Sequence, residues 1–374
     1  MRIFRAFVLT CLVGALVAGV LYLLAGRGGV SVEDKPAEKD VRVGSDVEVK
    51  IAPDKTDEAT VDQFAHSVRQ GKATLEIESR VGGGPWSRTG AIYPLKGERI
   101  FLRVGGDGGD VRWYRIVPDI SKIYNNANLP WEKDAYKWKG FDKIAYSREE
   151  LGQFRGHWVI EPFAGAASRD DSKVGSGRQR HADVGSFWFE VEVAKDGMIQ
   201  RSAGIEESDQ RGLSPDVFRV SIRDGQGYVG YLTSFFNVPG VFGSVTYQSE
   251  NYIGVDCADV LVAAYCKWKK RPMGKNYNVA MLVNEWKTVG RFAFSAGRCD
   301  KEVRWGRDVR AGDFIAVRYR GGRQYEPVGA FFRDGNDNGV LDGGDVVVHA
   351  GPEALHYSYL SNGNFDGEVA IIRP

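Results

Sequence analysis

The chain is 374 residues long and 43% hydrophobic, with 12% aromatic residues, which is enough for two or three domains with apolar cores and excludes a disordered chain. Fifty Lys and Arg against forty-nine Asp and Glu leave a net charge of +1, so no global attraction to nucleic acid or to an anionic membrane surface is expected.

Arg2 and Arg5 precede an uncharged apolar run over residues 6–25. At ~1.5 Å per residue a helix of that length spans roughly 30 Å, the thickness of a bilayer core. The run is longer than the apolar part of a cleaved signal peptide, and no small-x-small cleavage pattern precedes the polar sequence. Residues 1–27 are therefore expected to be a transmembrane signal-anchor, with the basic end in the cytoplasm and the remainder exported. Residues 28–40, rich in Asp, Lys and Glu, read as a solvated stalk.

The expected fold is mainly β, with β-sandwich-like modules followed by a C-terminal α+β domain. Arg99-Ile100-Phe101-Leu102-Arg103-Val104 and Val111-Arg112-Trp113-Tyr114-Arg115-Ile116-Val117 flank a Gly/Asp cluster, a hairpin signature within a first sandwich-like domain at 41–165. Inside it, Asn125, Asn126 and Asn128 are followed by Trp131, Tyr136, Trp138 and Phe141. That mixture fits either a sugar-binding surface or a loop whose aromatics fold back onto the sandwich. Residues 166–183 are polar and read as a linker. Phe187-Trp188-Phe189-Glu190-Val191-Glu192-Val193 and residues 217–223 alternate again, giving a second β module at 184–243. His66, His157 and His181 stand alone and read as surface or packing residues.

The third unit, 244–374, begins with the stretch that carries chemistry. Tyr252-Ile253-Gly254-Val255-Asp256-Cys257-Ala258-Asp259 runs into dense apolar residues, placing Cys257 in the first turn of a buried helix. Unpaired N–H groups and the positive end of the helix dipole stabilise a thiolate there, as a cysteine nucleophile requires. A small, inert, buried thiol is the other reading. A Cys266–Cys299 bridge would leave Cys257 free, but spacing does not decide the pairing.

Gly254-Val255-Asp256-Cys257-Ala258, with Tyr247 upstream, resembles the nucleophile motif of the NlpC-type, papain-like cysteine peptidases of bacterial cell walls. Residues 309–315, 328–332 and 347–350 resemble, in order, the strands that follow it in that family. The resemblance covers the last third of the chain. It implies thiol-dependent cleavage of an amide bond in a peptidoglycan stem peptide, with Cys257 attacking the carbonyl and N–H groups at the helix start holding the oxyanion. In the family a histidine precedes the strand resembling 328–332, whereas this chain has Glu326-Pro327 there, and proline takes no proton. His349 matches the residue that orients the missing base. Either His349 or His356 substitutes through a shifted geometry, or the domain is an inactive binding protein for wall peptides or a protein partner. A transglutaminase-like thiol enzyme shares the Asp-Cys-x-Asp pattern. No organic cofactor and no nucleic-acid partner are expected.

Residues 334–345 carry oxygen-bearing side chains at loop positions 1, 3, 5, 9 and 12 (Asp334, Asn336, Asn338, Asp342, Asp345), with Gly339 at position 6 and the Val340 carbonyl at position 7. That spacing suits Ca²⁺ and resembles the loops of EF-hands and dockerins, although Asp345 is one methylene shorter than the usual Glu. Such an ion would be structural.

Overall fold

Alternating residues become strands throughout the computed structural model, which describes residues 73–106, 108–164, 177–362 and 364–374. The expected anchor, the stalk, the start of the first β domain and most of the linker lie outside the described residues. The described chain is mainly β. No helix within it is long and apolar enough to cross a membrane.

Two larger sheets and two short two-stranded pairs make up the N-terminal half. Ile77–Val81, Ile100–Val104 and Val159–Ile160 form an antiparallel three-stranded sheet. A six-stranded sheet runs Ala91–Ile92, Phe218–Ile222, Gly185–Lys195, Asp110–Pro118, Tyr146–Glu150, with Met198–Arg201 also pairing with Gly185–Lys195. The two-residue period turns Ile100, Leu102 and Val104 of the first sheet, and Trp113, Phe187, Phe189 and Val191 of the second, into one apolar layer. The six-stranded sheet corrects the division made from sequence: strands from 41–165 and from 184–243 are hydrogen-bonded neighbours, with Trp113 opposite Val191. Local alternation marks strands but carries nothing about distant pairing.

The C-terminal half is a seven-stranded antiparallel sheet in the order Arg298–Cys299, Lys287–Ser295, Gly367–Arg373, Phe314–Arg318, Val328–Arg333, Val346–His349, His356–Tyr359. Its faces follow the same period. Phe314, Ala316, Val328, Ala330, Val346, Val348 and Tyr357 belong to the layer containing the helix Cys257–Lys269, whereas Ile315, Val317, Phe331, Val347 and Phe365 form the layer on the other face.

The helix Cys257–Lys269 is buried nearly all round through Ala258, Val260, Leu261, Val262, Ala263, Ala264 and Cys266. Asp256 caps its N-terminus, accepting from the Asp259 N–H, and Lys270 ends it in the left-handed conformation at φ 54°. Its layer also takes Ile116, Trp188, Leu213 and Tyr252, so the helix is clamped by both halves of the chain. At roughly 1.5–3 kcal/mol for each large apolar side chain buried, this packing outweighs the several kcal/mol that the buried Asp259 carboxyl costs. That carboxyl accepts from Tyr277 N–H at 2.9 Å and Ser244 Oγ–H at 3.1 Å, which lowers its cost further.

Candidate functional site

Cys257 is half-buried at the start of its helix and packs against the helix-bearing layer. A Cβ placed on Gly351 would lie 3.5 Å from the Cys257 Cβ, so the turn after the His349 strand passes directly over the cysteine. Burial pushes the thiol up, and the carboxylates of Asp256 and Asp259 push it the same way; the N–H groups of Ala258 and Val328 act against them. Burial likewise raises Asp256 and Asp259 above the usual carboxylate range. The helix N-terminus was expected to favour a thiolate, but here desolvation outweighs it and holds the sulfur as a neutral thiol. Cys266 and Cys299 are also free thiols, so no bridge joins them. Cys299 donates instead to the Leu341 carbonyl at 3.4 Å.

The histidines matched to this site are engaged elsewhere. Val346 and Val348 face the helix, so Val347 and His349 face the other layer. The His349 ring packs 5.4 Å from Phe365 of that layer and 4.3 Å from His356, and its Nε2 is 2.8 Å from Ser358 Oγ. Burial, then the nearby His356 charge, pushes His349 down to about 3. His356 pairs in register with His349, and its Nδ1 donates to the Ala354 carbonyl at 2.9 Å. Cys257 makes no hydrogen bond to an imidazole among the described residues. Tyr247 is also remote in role: it packs with Tyr124, Ile144, Val241 and Ile253, under the Arg211 guanidinium at 4.8 Å. Of the expected catalytic set, Cys257 alone lies at the helix start.

What does gather there was missed in the sequence. Tyr136 and Tyr319 are both pushed up by burial, then by Glu326, and both feel the charge a Cys257 thiolate would carry. Tyr136 sits in the left-handed region at φ 65°, with its ring 6.1 Å from Phe242. It is brought in by a parallel pairing of Tyr124–Asn125 with Val241–Phe242, next to the Gly240–Val255 bridge that leads into the cysteine helix. The aromatic loop therefore folds back, as one of its two readings held, but onto the segment that leads into the cysteine helix rather than onto the first sheet pair. The Asn126 amide holds it there, donating to Gln248 Oε1 at 2.8 Å and to the Gly243 carbonyl at 3.1 Å. Its aromatic-rich composition was the available signal; the pairing that places it was not.

The loop 334–345 joins the strands Val328–Arg333 and Val346–His349, as expected. Asp334 accepts from the N–H groups of Asn338 at 3.3 Å and Gly339 at 2.7 Å, and Gly339 turns at φ 73°. Asn336 Nδ2 and Asn338 Nδ2 donate to Asp342 at 3.1 and 2.7 Å, so positions 3, 5 and 9 converge. Turning those two amides over would present oxygens where the NH₂ groups now stand. With Asp334, Asp342 and the Val340 carbonyl, these are the oxygen donor types that Ca²⁺ takes. Asp345 is fully buried and accepts from Gly335 N–H at 3.0 Å, Asp342 N–H at 2.8 Å and Trp305 Nε1 at 3.1 Å, so the short side chain closes the loop onto its own start. Among the described residues no group of three or more His, Cys, Asp and Glu is placed to hold a metal.

No protein-family model matches the chain, and neither the curated proteins nor the solved structures give a match.

Proposed function

We propose that this is an exported, membrane-anchored envelope protein whose papain-like C-terminal domain holds a wall peptide or a protein partner without cleaving it. The observation that carries this reading is the company of Cys257: carboxyls and backbone N–H groups stand beside it, and the candidate base His349 is engaged with Ser358 in the other layer. A cysteine helix packed on an antiparallel sheet, with Pro327 in place of the base, is what an NlpC-type scaffold that has lost its proton acceptor would leave. The two-sheet N-terminal half is read as a sandwich that lends the cleft its aromatic loop. A structural Ca²⁺ in the loop 334–345 would fix the two strands behind the cleft.

The hydrolase reading rests on one favourable feature, the Ala258 and Val328 N–H groups directed at the sulfur, where an oxyanion would need donors. Co-sedimentation with purified peptidoglycan, followed by chromatography of soluble muropeptides, separates the two. Retention on the wall with an unchanged muropeptide profile is expected. New fragments that vanish with Cys257→Ala would establish the hydrolase; no retention and no fragments would remove the wall as partner.

A further inference from the structure

A second concavity lies at the opposite end of the cysteine helix. Glu250, Asn251, Cys266, Lys267, Lys270 and Arg271 line a pocket of about 350 Å³, beside Pro272. This size is at the lower end of small-ligand sites. Its charge is unusual for this chain: Lys267, Lys269, Lys270 and Arg271 put four cations in five residues, while the whole sequence is balanced at fifty against forty-nine.

The ordinary reason for cations at a helix C-terminus is to satisfy its last carbonyls and offset the dipole. Here the backbone already caps the helix, with Arg271 N–H donating to the Cys266 carbonyl at 3.0 Å and Lys270 N–H to the Lys267 carbonyl at 3.2 Å. Among the described residues no carboxylate stands within ion-pair distance of Lys267, Lys270 or Arg271. The pocket's single acid, Glu250, accepts from the Met273 N–H. Aromatic rings lie beside two of the cations, Tyr252 5.9 Å from Lys267 and Tyr265 5.0 Å from Arg271, which orients the heads without neutralising them. Three positive charges therefore line one small cavity against a single negative charge that is not paired with them.

We propose that this pocket binds a phosphate-type oxyanion, with Arg271 offering its planar fork and Lys267 and Lys270 acting as point charges. The same chemistry is met by free phosphate and by the headgroup of a phospholipid, and for a chain read as membrane-anchored both are within reach.

The test uses the full chain in a non-ionic detergent, titrated separately with inorganic phosphate and with glycerol phosphate, a headgroup without its acyl chains, and followed by ³¹P NMR and calorimetry. Saturable binding with a Kd at or below about 1 mM is expected for at least one probe. A clear preference for glycerol phosphate assigns the headgroup, and equal affinities assign the free oxyanion. The double variant Lys270→Glu/Arg271→Glu should bind at least about tenfold more weakly, and Glu250→Gln several-fold more tightly, a gain that misfolding does not produce. No saturation by about 10 mM, or a charge-reversed variant that binds like the parent, overturns the proposal.

Discussion

Replacing His349 by Gln distinguishes a half-buried, neutral imidazole from one half of a catalytic pair, because the two contribute to stability with opposite sign. Glutamine keeps a partner for Ser358 Oγ but does not titrate. In the native chain burial holds His349 at about 3, against about 6.5 in the unfolded chain. Its folded value is depressed, so as the pH falls below about 6.5 the unfolded chain takes up a proton that the folded chain refuses, and stability is lost down to about pH 3. Linkage gives about 2 kcal/mol of that loss by pH 5, with almost none at pH 8. Urea unfolding at these two pH values should therefore show the His349→Gln variant losing about 2 kcal/mol less than the parent on acidification. An imidazole paired with a Cys257 thiolate would be held above 6.5 instead, and the parent would gain stability from it as the pH fell through that value. Equal pH dependence in the two proteins would mean that His349 does not pack against the second layer, and the reasoning would fail; a larger loss in the variant would point to the thiolate pair.

Ca²⁺ at about a hundred times its Kd should raise the stability of the loop-bearing half by about 2.7 kcal/mol, read as a rise in Tm that chelation reverses. Asp334→Ala should melt at the same temperature with and without the ion, since it removes the position-one ligand and the acceptor for Gly339 N–H. Asp345→Ala leaves the donors on Gly335, Asp342 and Trp305 unmatched and should cost about 3–5 kcal/mol by chemical denaturation, metal or no metal. A loss confined to calcium-containing buffer would show instead that Asp345 is a ligand. Gly230→Ala should fail to accumulate as folded protein, because its Cβ would sit 2.0 Å from the Gly225 carbonyl oxygen; a Tm within a few degrees of the parent would show that this turn yields.

What the sequence carried was local. The cysteine helix, its Asp256 cap, the strands at 99–104, 111–117, 187–193 and 217–223, and a loop with converging oxygens could all be read from period and spacing, because each is decided within a dozen residues. What it did not carry were distant pairings. Nothing near Trp113 indicates Val191 as its neighbour, and nothing near Tyr136 indicates Phe242 or Cys257. The surroundings of His349 were hidden for a related reason. His349 occupies the matched strand position, yet the register with Val328–Arg333 and the burial of Val348 against the helix turn its ring to the other layer. The electrostatic sign at Cys257 was equally hidden, since a helix start favours a thiolate until packing strips the sulfur of solvent.

Among the described residues Cys257 is a neutral thiol with no imidazole hydrogen-bonded to it. Its rate of reaction with iodoacetamide as a function of pH, followed by mass spectrometry of the peptide that carries it, tests this most directly. A neutral, unactivated thiol alkylates slowly at neutral pH, at a rate still rising above about pH 9. A rate that levels off at or below about pH 7 would reveal an activated thiolate and contradict the claim.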